Sequence, residues 1–266
     1  MTDQTTKFNA IEKTLEVLLT FDRTKPFWGV RELSQHLNFS PATVQRILQT
    51  LKAYGFVVQD PRTRQYMLGS VFYGFYHALN TMGRFSRTAR RYMEAVGEET
   101  GETVHLNIIQ GGARICIDTL ESTRNLRAGM PVGDMSPLYA GASAKCLLAF
   151  SSRDFQDQYF RTTVLTAMTD NTITDLAALK DELAAIRARG YAISMGERTP
   201  GLGSISSPIM DNTGSVIASL SLAVPEIRFL DPAHREACIR VLITASNSCS
   251  RDMGHEEELG TARDKA

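Results

Sequence analysis

Between Val30 and Leu51 apolar residues recur at helical spacing on both sides of a two-residue break, and this pattern leaves few local folds open. Val30, Leu33 and Leu37 share one face of a short helix, Asn38-Phe39 turns the chain, and Val44, Ile47, Leu48 and Leu51 share one face of the next helix, which ends near Gly55. Ser40-Pro41 is a strong start for that second helix. The hydroxyl accepts from a first-turn N–H, and the donor missing from proline costs nothing at the first helical position. An earlier helix is predicted from about Ala10 to Phe21 with Ile11, Leu15, Leu18 and Leu19 as its inward stripe, followed by a polar break containing Pro26 and Gly29. After the third helix, Gly55–Gln59 and Gln65–Leu68 read as strands joined by Asp60-Pro61-Arg62-Thr63-Arg64. The predicted unit is a winged helix-turn-helix over residues 1–69.

The face opposite the buried stripe of the third helix carries Ala42, Arg46 and Gln49, flanked by Thr43, Gln45 and Thr50, with no acidic residue on the helix. Arginine can fork onto guanine, glutamine onto adenine, and Ala42 or Thr43 can meet a thymine methyl. A generic three-helix unit with a polar face is the plainer alternative, but such a surface usually mixes both charge signs. Charge across the chain favours a nucleic-acid reading. The whole sequence is formally neutral, yet residues 1–91 sum to +7 and the remainder to −7. Ser40, Ala42, Thr43, Gln45, Arg46, Gln49 and Thr50, with the hairpin-tip residues Arg62 and Arg64, form the candidate surface for double-stranded DNA. The tip would lie against phosphates or enter the minor groove.

The rest of the chain reads as a second domain. At 266 residues, with 43% hydrophobic and 22% charged residues, two globular domains are expected rather than disorder or a fibrous repeat. No apolar run approaches the length of a membrane span and the N-terminus lacks a signal-peptide core, so a cytoplasmic protein without a membrane partner is expected. Ser70 to about Met82 carries Val71, Phe72, Phe75, Leu79 and Met82, a linker helix (70–85) whose greasy face would pair two subunits or pack on its own chain. Beyond it come a helix with Ala89, Met93 and Val96 ending at Gly97 or Gly101, strands over 103–109 and 113–120, and a helix from Asp175 to Arg189. That last helix should turn Leu176, Leu179, Leu183 and Ile186 inward, capped by Thr174 and stopped by Gly190. A hairpin of 204–210 and 215–224 completes an α+β layer with a largely antiparallel sheet over 86–255. In its second strand Val216, Ala218, Leu220, Leu222 and Val224 should share one face, and Ile217, Ser219, Ser221 and Ala223 the other. A sheet face of serines and alanines, with Ser204 and Ser206 across the turn, either packs a close helix or floors a cavity with hydroxyl donors. The loop Met130–Tyr139 could cover such a cavity.

The stretch Ile11–Gly69 resembles the winged-helix domain of IclR-type bacterial transcriptional regulators, through Leu33-Ser-Gln-His-Leu, Ser40-Pro-Ala-Thr-Val-Gln-Arg-Ile-Leu, Leu51-Lys-Ala-Tyr-Gly-Phe-Val and Tyr66-Met-Leu-Gly69. The resemblance continues through Pro137-Leu-Tyr-Ala-Gly-Ala-Ser-Ala-Lys-Cys-Leu-Leu-Ala149, Arg189-Gly-Tyr191, Gly196-Glu197 and Gly201-Leu-Gly-Ser-Ile-Ser-Ser-Pro208, which are similar to the family's GAF-like effector domain. It implies a ligand-responsive regulator with no cofactor, acting as a homodimer or a dimer of dimers on a pseudo-palindromic operator. It also implies an effector-binding set of Asn125, Ala128, Ala142, Ser143, Ser194, Leu202, Ser204, Ser221 and Ala223 for a small organic effector such as a carboxylate or an aromatic acid. Three positions depart from the family pattern: Tyr139 stands for a usual histidine, Ala144 for a glycine and Ser194 for a common acidic residue.

The alternative is a metabolite-binding protein or enzyme with an N-terminal protein-interaction module. Its motifs are incomplete. Gly141-Ala-Ser143-Ala-Lys145 ends on lysine where a nucleophile elbow needs glycine. Gly201-Leu-Gly-Ser-Ile-Ser lacks the third glycine of a dinucleotide fingerprint. His105, Cys116 and Cys146 could converge on a metal, although reduced buried thiols are commoner. Residues 256–266 read as a solvated tail.

Overall fold

The computed structural model describes residues 9–22, 24–75 and 84–256. The chain divides into two compact units, Met1–Gly83 and Arg84–Ala266.

In the first unit α1 spans Ala10–Leu19, α2 Val30–Leu37 and α3 Pro41–Ala53. The Asn9 side chain accepts from the Ile11 and Glu12 amides, and Glu12 returns the bond to the Asn9 amide at 2.7 Å, a reciprocal cap that starts α1. The expected inward stripe of α1 is corrected. Ile11, Leu15 and Leu19 lie outward, 72%, 53% and 78% exposed, while Val17 and Phe21 enter the core and Leu18 is half-buried. The helix carries two apolar arcs, and the one continuing to the Phe21 ring beyond its end is the one that packs. α2 and α3 match expectation: Leu33, Val44, Ile47, Leu48 and Leu51 are buried, and Asn38 makes the turn in the left-handed region (φ 54°). Strands β1 (Val57–Gln59) and β2 (Tyr66–Leu68) form the antiparallel hairpin. The segment read as a polar break supplies a further pairing, because buried Trp28 exchanges two backbone bonds with Tyr66 (3.0 and 2.8 Å) and its indole N–H donates to the Thr20 carbonyl. Residues 71–75 are helical, with Phe72 and Phe75 against Phe56; Leu79 and Met82 of the expected linker helix lie outside the described residues, as do residues 257–266 of the expected tail.

The second unit is built on a six-stranded antiparallel sheet in the order β5-β4-β3-β8-β7-β6: β3 Thr103–Gln110, β4 Ala113–Leu120, β5 Met135–Pro137, β6 Ala192–Met195, β7 Leu202–Met210 and β8 Val216–Pro225. On one face lie α4 (Arg84–Thr100) and α9 (Pro232–Asp252), where Ala89, Met93, Val96 and Leu242 meet Leu106, Ile205, Leu220 and Leu222. The short helix α8 (Glu226–Phe229) adds Phe229 to this core. The opposite side holds α5 (Ala142–Phe150), α6 (Arg153–Thr162) and α7 (Leu176–Arg189), packed through Leu147, Leu148, Tyr159, Leu179, Leu183 and Ile186.

Local differences from the sequence reading have physical causes. α4 ends at Gly101 (φ 68°), and Gly97 sits inside it against Leu120. α7 is capped by Asp175, whose carboxylate accepts from the Ala178 amide, not by Thr174; Leu176 therefore sits in the first turn and stays exposed. A register shift in the β7–β8 hairpin leaves Ile217 unpaired between Val216 and Ala218. The alternation therefore fails at its start: Val216 packs with the α5–α7 core and Ile217 with the α4–α9 core. Among the described residues no helix is long and apolar enough to cross a membrane.

Candidate nucleic-acid interface and ligand cavity

The start of α3 is fixed locally. Ser40 Oγ accepts from the Thr43 amide and lies 2.8 Å from Thr43 Oγ1, which orients the first turn of the helix. Ala42, Arg46, Gln49 and Thr50 are exposed and Thr43 and Gln45 half-buried, so the whole expected set occupies the outer face. Among the described residues the Arg46 guanidinium has no hydrogen-bond or ion-pair partner, and it is free to meet a base edge. The hairpin tip is shaped by Asp60, whose carboxylate accepts from the Arg62 and Thr63 amides and is held below the ordinary carboxylate range, chiefly by the Thr63 bond. Arg64 is in the left-handed region (φ 62°), its carbonyl bound by Gln59 Nε2, and both tip arginines are exposed.

In the second unit the small-residue sheet face does both things expected of it. Ser206 Oγ and Ser221 Oγ lie 2.8 Å apart, Asn107 Nδ2 donates to Ser221 Oγ, and Ser219 Oγ donates to the Ser143 carbonyl, seating α5 closely on the sheet. Where α5 begins, the same face floors a cavity of about 620 Å³ including its open mouth. Its inner wall is the first turn of α5. Gly141 turns the chain with φ 88°, its amide donates to Glu197 Oε2, and the Ala142 amide donates to Ser194 Oγ at 3.0 Å. Glu197 is tied in turn to buried Lys145. Gly129 and Met130 form its rim, and the segment 129–134 to which they belong is fixed by two arginines. Arg114, fully buried, bonds Ser136 Oγ and Asp134, and Arg198 meets the same Asp134 oxygen. His105 lines the cavity and accepts from the Met130 amide at 3.2 Å. Burial first, then the charges of Arg114 and Arg198, push its pKa down to about 4, so it is a neutral acceptor at pH 7.

Of the effector set, Ala142, Ser143, Ser194, Leu202, Ser204, Ser221 and Ala223 line this cavity. Asn125 and Ala128 do not. Their loop is held away from the cavity by Ser122 Oγ on the Gly101 carbonyl and by Arg228 on the Leu126 carbonyl, and only Gly129 and Met130 reach it. The rarer alternative weighed for His105, Cys116 and Cys146, convergence on a metal, is not what the fold gives: no group of three His, Cys, Asp or Glu side chains among the described residues could hold a metal. Burial raises both thiols, Cys116 to about 11 and Cys146 to about 12.

Residues 78–251 match the family profile of the bacterial transcriptional regulator IclR C-terminal domain, and residues 10–61 match the IclR helix-turn-helix domain. The chain belongs to the IclR family. It is 34% identical over 229 residues to the HTH-type transcriptional regulator BhcR of Paracoccus denitrificans, covering 86% of this chain and 82% of that protein. The crystal structure of Thermotoga maritima IclR superposes with a TM-score of 0.76 at 27% identity, covering 93% and 99% of the two chains. An IclR homologue of Microbacterium hydrocarbonoxydans, crystallised with 4-hydroxybenzoate, shares the fold with a TM-score of 0.81 at 20% identity, covering 92% and 99%.

This IclR-family chain is therefore a ligand-responsive transcriptional regulator with a DNA-binding head and an effector-binding domain, and the enzyme alternative is set aside. The IclR resemblance carried Glu197 only as a motif letter, and its capping of Gly141 became visible in three dimensions. Arg198 carried no sequence signal as a site residue, whereas Met130 had one as the first residue of the loop 130–139 expected to cover such a cavity. His105 has one, alternation on strand 103–109, but the sequence alone makes it a core-edge histidine or, less commonly, a metal ligand.

Proposed function

We propose that this regulator reads a pseudo-palindromic operator with two copies of α3 and releases or tightens its grip when a small organic effector, an organic acid by family expectation, occupies the cavity beside α5. The head is residues 1–69, and a connecting segment, 70–85, leads to the sensor, 86–255. A homodimer, or a dimer of dimers, supplies the paired heads, and the protein works in the cytoplasm. One observation carries the DNA reading: the outer face of α3 presents Ala42, Arg46 and Gln49 to solvent with no carboxylate on the helix. Arg46 and Gln49 would contact base edges, Ser40 and Thr50 the flanking backbone, and Arg62 and Arg64 the phosphates or minor groove. For the sensor, Ser143, Ser194, Ser204 and Ser221 offer hydroxyls to a ligand closed in by Leu202 and Ala223. The 4-hydroxybenzoate bound by the Microbacterium homologue is of the expected class.

Selection from random duplex DNA at about 150 mM salt, where screening weakens purely electrostatic attraction, tests the proposal. The expected product is an enriched palindrome. Arg46→Ala should cost about 1–3 kcal/mol on that site and relax the preference at one position, whereas Arg64→Ala should weaken all sequences alike and flatten the salt slope. An unchanged preference in Arg46→Ala removes that residue from readout. No enrichment, with and without a metabolite pool, overturns the operator reading.

A further inference from the structure

The rim of the cavity holds more positive charge than its own residues neutralise. Arg114 and Arg198 converge there from β4 and from the loop between β6 and β7, and both address a single carboxylate oxygen, Asp134 Oδ2. Asp134 is the only acidic partner of either arginine among the described residues. Lys145 does not add to this excess, since it is satisfied by Glu197 and Glu182. The arginines also spend donors poorly. Nη1 of Arg198 points at Met130 Sδ at 3.2 Å. Nη1 of Arg114 reaches the same sulfur at 2.8 Å, besides the Asp134 carbonyl at 3.1 Å and Asn107 Oδ1 at 3.5 Å. A thioether is a weak acceptor, whereas a guanidinium bonded to a carboxylate makes one of the stronger hydrogen bonds available to a protein. Met130 and Arg198 both line the cavity, with Arg114 buried behind the sulfur.

We propose that this pair of guanidiniums is the seat for the carboxylate of the effector, which takes the place of the Met130 thioether. The inference rests on the reading of this cavity as the effector site and adds which end of the ligand goes where. The other cationic feature of the cavity, the start of α5, is already filled from within the chain. Glu197 accepts from the Gly141 amide, and Ser194 and Ser204 accept from the Ala142 amide. A second carboxylate there would face the Glu197 charge, whereas at the arginines it completes the charge balance. The serine hydroxyls around α5 are then left for the polar remainder of the acid. Displacing Met130 also has a mechanical consequence, because its amide is the bond that fastens the rim to His105. Carboxylate binding would therefore be felt along the whole 129–134 segment.

The test uses the full chain and acetate as the minimal probe, with acetamide as its neutral match, at constant ionic strength made up with sodium chloride. Acetate should raise the thermal midpoint in a saturable way and acetamide should not. Arg198→Gln should weaken acetate by about tenfold or more, the loss of one charge-assisted contact. Met130→Leu keeps the volume and removes the competing sulfur, so acetate should bind it at least as tightly as the wild type. Opposite effects from two neighbouring substitutions cannot come from general loss of folding. Acetate that shifts the wild-type midpoint no more than acetamide does, or binds Arg198→Gln as well as wild type, overturns the seat. Ser204→Leu, which fills the cavity floor, separates the two readings. If it abolishes binding of benzoate and benzamide alike while neither is preferred, the cavity stands and the carboxylate seat falls. If it leaves the binding of both unchanged, the cavity reading itself falls.

Discussion

His105 is the residue at which charge, burial and the cavity meet. It is buried, neutral and hydrogen-bonded to the Met130 amide, with a pKa pushed from 6.5 to about 4. In the unfolded chain the imidazole regains its ordinary value, so between these pKa values the unfolded state binds a proton that the folded state does not. Stability contributed by the neutral ring is therefore complete above about pH 6.5 and is lost as pH falls toward 4, at about 1.4 kcal/mol for each pH unit. Denaturant midpoints measured from pH 7.5 to 5 should fall more steeply in the wild type than in His105→Gln. Equal slopes would show that the ring is not held neutral. The same residue reports on the rim. A carboxylate seated at Arg114 and Arg198 would cancel charge that presses the imidazole pKa down, so saturating acetate should soften the pH slope of the wild type.

At the scale of elements, the features legible in the sequence are those settled within a few residues of each other. α3 could be read because its cap, its proline and its buried stripe all lie within Ser40–Leu51. α1 could not, because Ile11-Leu15-Leu19 and Val17-Phe21 both satisfy helical spacing and only the packed partner decides between them. The hydroxyl floor of the cavity was visible in the alternation of Ser219, Ser221 and Ala223, up to the bulge at Ile217 that no period-2 pattern announces. The arginine rim was invisible, since Asp134 meets Arg114 from 20 residues away and Arg198 from 64. Another such long-range constraint is Gly203 on β7. A β-carbon there would penetrate the Phe229 ring of α8, which is itself buried. Helix α8 also carries Arg228, whose two-point pair with the buried Glu102 carboxylate fixes the start of α9 along with His234. Gly203→Ala should therefore destabilise by about 1–3 kcal/mol or more, since the ring cannot move without disturbing that ion pair. Gly129→Ala, with nothing near its added methyl, serves as the control and should leave the denaturation midpoint within about 0.5 kcal/mol of wild type. Equal midpoints for the two variants would mean that β7 and α8 can separate at little cost.

Across the whole molecule the candidate DNA-binding surface and the cavity belong to different compact units, so the regulator's response is a coupling free energy between two sites. Coupling of this kind is reciprocal. If a bound carboxylate weakens operator affinity by some factor, bound operator must weaken carboxylate affinity by the same factor, and the same holds for strengthening. That equality gives a test independent of the sign of regulation. With the selected palindrome as probe, operator affinity is titrated with and without saturating effector, and effector affinity is titrated with and without saturating operator, at one salt concentration. The two ratios should agree. Ser204→Leu should set the effector's influence on operator affinity to unity while operator affinity itself stays at the wild-type value, because α3 and the wing are untouched. Arg46→Ala should do the converse, lowering operator affinity and leaving effector affinity of the free protein unchanged. A Ser204→Leu protein that still responds to effector would place the sensing site outside this cavity. Unequal ratios in the wild type would mean that a further equilibrium, such as a change between dimer and tetramer, is linked to one of the two ligands. Repeating both titrations across a range of protein concentrations would expose that equilibrium directly, because only an assembly step makes the ratio depend on protein concentration.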